Sequence, residues 1–113
     1  MKELSFEFDT RKRLKAFPYD VRREVAHALY EAQRGGKHEK VKVLTGFHGA
    51  GVLEIRDRYE GCAYRVFYTT LIPSRICILH AVKKKSKRGI STPKQELDLL
   101  RQRLIATREK YGG

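Results

Sequence analysis

Residues 80–89 read His-Ala-Val-Lys-Lys-Lys-Ser-Lys-Arg-Gly, and five cations, Lys83, Lys84, Lys85, Lys87 and Arg88, follow directly on an apolar run. Upstream, Arg56 stands in Leu-Glu-Ile-Arg and Arg65 in Tyr-Arg-Val-Phe-Tyr, each inside a run with strand character. Cations held on ordered backbone neutralise phosphate, and guanidinium forks grip its oxygens two at a time. Tyr59 and Phe67 lie near these cations in sequence and offer rings on which unpaired bases can stack. The pattern is that of a phosphate cradle or of a solvated lysine-rich loop, and charge alone speaks for binding and assigns no reaction.

The elements that must position these groups follow from periodicity. Leu4, Phe6 and Phe8 alternate with Ser5 and Glu7, which predicts a half-buried strand. Asp9 and Thr10 are N-cap residue types before a short helix over 11–17 that Pro18 ends. Val21, Val25, Ala28, Leu29 and Ala32 recur at helical spacing up to Gly35-Gly36, giving an amphipathic helix with a basic outer face. Residues 37–51 read as a linker. Three strands over 52–58, 62–70 and 75–82 follow, joined by turns too short for anything but an antiparallel meander. Ser91-Thr92-Pro93 then opens a C-terminal helix carrying Leu97, Leu100 and Leu104 on one side. The expected order β-α-α-β-β-β-α describes an α+β domain, a small antiparallel sheet with helices on one face. On that reading the other face is open, Arg56 and Arg65 project from it on neighbouring strands, and the lysine run begins where the last strand leaves the sheet at Val82. His80 is expected to alternate with Ile76, Ile78 and Val82 as a core histidine.

With 113 residues the chain supports one domain over 1–113. Lys and Arg number 25 against 13 acidic residues, a net charge of +12 that points to a polyanionic partner. Nucleic acid ranks above a membrane surface, because no helix pairs a basic face with a broad Phe- or Trp-rich one. No signal-like apolar run follows Met1, so a cytoplasmic location is expected. Cys62 and Cys77 fall inside strands and read as reduced thiols, and the four histidines show no zinc spacing with them, so neither metal nor cofactor is expected.

Tyr64 to Tyr68, His80 to Lys85 and Thr92 to Glu96, in that order, resemble the RelE/HigB superfamily of bacterial toxin–antitoxin ribonucleases, in particular its phage-derived HigB-like branch. Leu53 to Arg56 is similar to that branch's strand before the Tyr-Arg-Val-Phe-Tyr element, so the likeness covers nearly the whole chain and is most specific over 52–100. The resemblance implies a RelE-like fold and the toxin of a type II system. Such a toxin is a metal-independent endoribonuclease that cuts mRNA on the ribosome, inhibits translation, and is restrained by a cognate helix-turn-helix antitoxin. The 2′-OH attacks the adjacent phosphate. By matching position, Arg56 and Arg65 hold the scissile phosphate and Lys84 and Lys85 stabilise the transition state. Lys83, Lys87 and Arg88 grip flanking RNA.

RelE proper carries lysines where this chain has Val52 and Glu54, and a tyrosine after the basic run where this chain has only Ser-Lys-Arg-Gly-Ile-Ser-Thr. Proton transfer is therefore unassigned. Glu54, beside Arg56, is a candidate general base or the acidic half of an ion pair. The competing reading is a non-catalytic RNA- or DNA-binding module on the same fold.

Overall fold

The computed structural model describes residues 1–44, 51–85 and 92–112. Strand β1 (Glu3–Phe6) leads into helices α1 (Thr10–Lys15) and α2 (Tyr19–Gln33). Strands β2 (Val41–Val43), β3 (Val52–Tyr59), β4 (Cys62–Thr69) and β5 (Arg75–Lys85) precede helix α3 (Lys94–Lys110). The α+β class is as expected, with one added element, since β2 lies within the stretch read as a linker. Its three residues pair with β3 through Val41 opposite Ile55 and Val43 opposite Leu53, a run too short for alternation to reveal.

The sheet order is β1-β5-β4-β3-β2. Strands β3, β4 and β5 form the anticipated meander, and the turn at Glu60 and Gly61 has positive φ at both residues (48° and 78°), the two-residue geometry that suits strand twist. Strand β1 is the exception to an antiparallel sheet: it pairs parallel to β5, with Glu3 opposite Arg75 and Phe6 opposite Ile78. The connection from β1 passes through the helices and three other strands, which leaves room for a parallel return. Helix α2 starts after Pro18 and stops where Gly35 (φ 83°) donates to Ala32 O and Gly36 donates to Glu31 O, the paired bonds of a Schellman motif.

Two apolar clusters sit on the two faces. On the first face α2 lays Val21, Val25, Ala28, Leu29 and Ala32 on Ile55, Tyr64, Val66, Tyr68, Ile76 and Ile78. The alternate positions Val52, Phe67, Cys77 and Leu79 join Leu100 and Leu104 of α3. The second face, expected open, is thus partly covered by the C-terminal helix. Burial holds the Tyr68 hydroxyl up at about 12 and the Cys77 thiol at about 11, so both stay neutral within the core.

The lysine run also differs from expectation. Strand β5 does not end at Val82 but continues to Lys85, with Lys83, Lys84 and Lys85 paired to Tyr64, Ala63 and Cys62. Within β5 the register slips: Phe67 faces His80 while Tyr68 faces Ile78, so Leu79 is an extra residue, a β-bulge. The bulge puts Leu79 and His80 on the same face. Arg103 donates to the Leu79 carbonyl at 2.8 Å.

Candidate phosphate-binding site

Beyond the bulge the alternation is reversed. Ala81 enters the first cluster, Val82 packs on the second, Lys83 lies over the Tyr64 ring at 5.9 Å and Lys84 reaches Glu96 of α3 at 2.9 Å. Lys85 alternates back toward the first face. Of the run Lys83, Lys84 and Lys85, Lys84 alone joins the face of Glu54, Arg56 and Arg65. Lys87 and Arg88 lie outside the described residues, as does His48.

Arg56 and Arg65 are direct cross-strand partners, and two like charges so placed repel each other. Glu54 relieves the repulsion. Its carboxylate accepts from Arg56 Nε and Nη2 at 3.3–3.4 Å and lies 3.5 Å from Arg65 Nε. The Arg56 side chain keeps 24% of its surface in solvent, whereas Arg65 keeps 6% and Glu54 5%. Arg65 therefore takes the expected face beside Arg56 but does not reach solvent from it. It is buried next to Glu54, and Arg56 is the more exposed of the two arginines.

Glu96 was read only as part of a helix start, and the structure gives it a place here. It stands in the first turn of α3 without making a side-chain cap bond, is nearly buried, and turns Oε1 to Lys84. Its Oε2 has no hydrogen-bond donor among the described residues. The sequence signal was its position three residues after Pro93, where a carboxylate complements the helix N-terminus. Arg103, also missed, contacts Asp9 at 3.2 Å and the His80 ring nitrogen Nδ1 at 3.4 Å. Burial, with the neighbouring Arg103 charge, pushes the His80 pKa down. Because arginine can only donate, His80 Nδ1 is the acceptor and the ring is neutral, with its proton on Nε2. His80 stacks on Phe67, with ring centroids 5.9 Å apart.

Phe67 itself is fully buried and offers no face to an unpaired base. Tyr59 packs against the first cluster, across the sheet from the arginines. The two expected stacking residues are thus not assembled with the cations. Of the residues singled out from the sequence, the structure brings together Arg56, Arg65, Lys84 and Glu54, with Glu96 against Lys84, at the end of the second face beyond the apolar cluster. Chemically, such an array suits an anion: the Arg56 and Lys84 side chains reach solvent, and Arg65 adds charge in a partly desolvated setting where each cation counts for more than in water. Among the described residues, no three of His, Cys, Asp and Glu come together as a metal-ligand set, and no helix is long and apolar enough to cross a membrane.

No curated protein and no solved structure gives a significant match to the chain. A family model described as "Phage derived protein Gp49-like (DUF891)" does match, over residues 12–105, which takes in every side chain of the site. The chain belongs to the Gp49-like phage-derived protein family, a toxin-like family often linked to toxin–antitoxin systems.

Proposed function

We propose that this protein is the toxin of a type II toxin–antitoxin pair and acts as a ribonuclease that cleaves mRNA on the ribosome. The observation that supports this best is the Glu54–Arg56–Arg65 array with Lys84 beside it, a surplus of positive charge fixed on sheet backbone inside a family linked to such systems. In the reaction the 2′-OH of one nucleotide attacks its own 3′ phosphorus, the P–O5′ bond breaks, and a 2′,3′-cyclic phosphate and a 5′-hydroxyl result. Arg56 contacts the phosphoryl oxygens, held in place by Glu54, and Arg65 raises the local potential. Lys84 stabilises charge on the pentacoordinate phosphorane or on the departing O5′. Neither carboxylate offers a ready proton acceptor, since both Glu54 oxygens are taken by Arg56, Glu96 Oε1 is held by Lys84 and Glu96 Oε2 is buried; the proton lost by the 2′-OH and the one gained by O5′ pass through water. Lys83 and Lys85, directed to the first face, hold flanking RNA, as do Lys87 and Arg88.

Induction in bacteria without an antitoxin, followed by mapping of transcript 5′ ends, tests the proposal. Growth arrest with new 5′-hydroxyl ends inside open reading frames is expected. Normal growth with intact transcripts at good expression would refute it and leave the non-catalytic nucleic-acid-binding reading.

A further inference from the structure

The sheet has an open edge beside an apolar cleft, on the side of the molecule away from β3. Among the described residues strand β1 pairs on one side only, with β5. The phase of that pairing is fixed by Glu3 N–H donating to Ser74 O and Glu7 N–H donating to Ile78 O. In a parallel ladder alternate residues turn both backbone groups to the neighbour, so those of Leu4 and Phe6 point outward. Two residues before Leu4 and in the same phase, Lys2 has its outward groups met by Gln33, whose carbonyl accepts at 3.4 Å and whose side-chain amide donates at 2.7 Å. Among the described residues no such cover reaches the outward backbone groups of Leu4 or Phe6.

The side chains of Leu4 and Phe6 form one wall of a cleft of about 270 Å³ between β1, α1 and α2, floored by Leu14 and Val25. Arg11, Lys15 and Arg22 stand at its rim, all exposed, and no acidic residue among the described ones lines it. An unpaired strand edge, an apolar hole for a side chain and a cationic rim are the three elements that receive an added strand. Edge strands of this kind are ordinarily blocked or covered, and this one carries no proline and no bulge.

We infer that the β1 edge and its cleft are the docking site of an extended, acidic segment of the antitoxin, which adds a strand to β1, seats an apolar side chain in the cleft and pairs carboxylates with Arg11, Lys15 and Arg22. The inference rests on the toxin reading above. A second copy of the chain is the wrong occupant, because its own rim and net charge of +12 would meet like charge. RNA supplies the negative charge but neither a strand-spaced set of backbone groups nor an aliphatic side chain for the cleft. Docking here leaves Glu54, Arg56 and Lys84 uncovered.

The test uses the full-length chain and the full-length antitoxin encoded beside it, with affinity measured by calorimetry. Arg22→Glu reverses one rim charge, and Ala26→Phe fills the cleft from an exposed position on its wall. Leu4→Pro removes an outward N–H that the sheet does not use, with Leu4→Ala as the control for the lost side chain. Arg22→Glu and Ala26→Phe should each weaken antitoxin binding at least tenfold, and Leu4→Pro should weaken it beyond Leu4→Ala. Lys42→Glu, on β2 at the far edge, should not change it. In cells the cleft variants should stay toxic and escape neutralisation. Should Leu4→Pro fail to fold, the two helix variants carry the test. An antitoxin that binds the wild type and all cleft variants alike overturns the docking inference and spares the toxin reading. The absence of any complex defeats the toxin reading itself. Variants that lose RNA affinity while keeping the antitoxin would make the cleft an RNA surface and also overturn the inference.

Discussion

Two carboxylates are almost equally buried in this molecule, Glu7 at 3% exposure and Glu54 at 4%, and their surroundings differ in kind. Glu7 accepts from the Tyr111 hydroxyl at 2.9 Å and from Lys110 Nζ at 3.0 Å, both at the end of α3. Burial alone would raise its pKa, but the hydrogen bonds from Ser5, Lys110 and Tyr111 together outweigh burial and hold it below the usual range. The Lys110 and Tyr111 contacts join residues about a hundred positions apart and balance one anion with one cation. Glu54 instead meets two arginines from adjacent strands, and the net local charge stays positive. A balanced buried cluster is a tie between elements. An unbalanced one, with Arg56 still reaching solvent, retains charge for a ligand.

If that contrast is right, the largest effect of any single change should be on chemistry at the unbalanced cluster. Arg56→Ala should lower bound-state RNA cleavage by about a hundredfold or more, the scale of losing one preorganised donor to a transition state. Its melting temperature should move little. Glu54→Ala should act mainly on stability, costing about 3 kcal/mol, because it leaves the Arg65 charge buried beside Arg56 without its carboxylate. Denaturant unfolding measures that cost, and a value near zero would mean that Glu54 does not hold the pair. Glu7→Gln should cost less, about 2 kcal/mol for charge-assisted hydrogen bonds, and should leave cleavage unchanged.

The same substitution has a pH signature. The folded pKa of Glu7 lies below its unfolded value, so its stabilisation is present above the unfolded pKa and is lost as pH falls through the folded one. Asp9 and Glu24, depressed chiefly by hydrogen bonds from Arg13 and Lys40, lose theirs in the same direction. Between pH 5 and the acid limit Glu7→Gln should therefore show a flatter fall in stability than the wild type. The smallest expected effect is at Lys83, on the first face: Lys83→Gln should reduce the salt slope of RNA binding by about 0.7, the share of one phosphate contact on a single strand. An unchanged slope would remove Lys83 from the RNA path.

Much of the fold was legible because the relevant signals are local. The helical spacing from Val21 to Ala32, the Gly35-Gly36 stop and the short turns of the meander are written in neighbouring residues. Three features were not, since each is a long-range choice. The parallel return of β1 to β5 depends on sheet order, and the covering of the second face by α3 depends on where a helix docks. The third is the bulge at Leu79. Strict alternation groups His80 with Ile76, Ile78 and Val82. One extra residue instead turns His80 toward Phe67, and it moves Lys84 rather than Lys83 or Lys85 to the face of the arginines. Arg56, Arg65 and Glu54 were legible as a group, but not the depth at which Arg65 sits.

Single-turnover cleavage of mRNA on saturating programmed ribosomes, measured beside binding for Lys83→Gln, Lys84→Gln and Lys85→Gln, separates grip from chemistry. The account predicts that Lys84→Gln lowers the cleavage rate within the bound complex, while the other two weaken binding and keep that rate. A Lys84→Gln protein that cuts at the wild-type bound rate, with Lys85→Gln impaired instead, would contradict it.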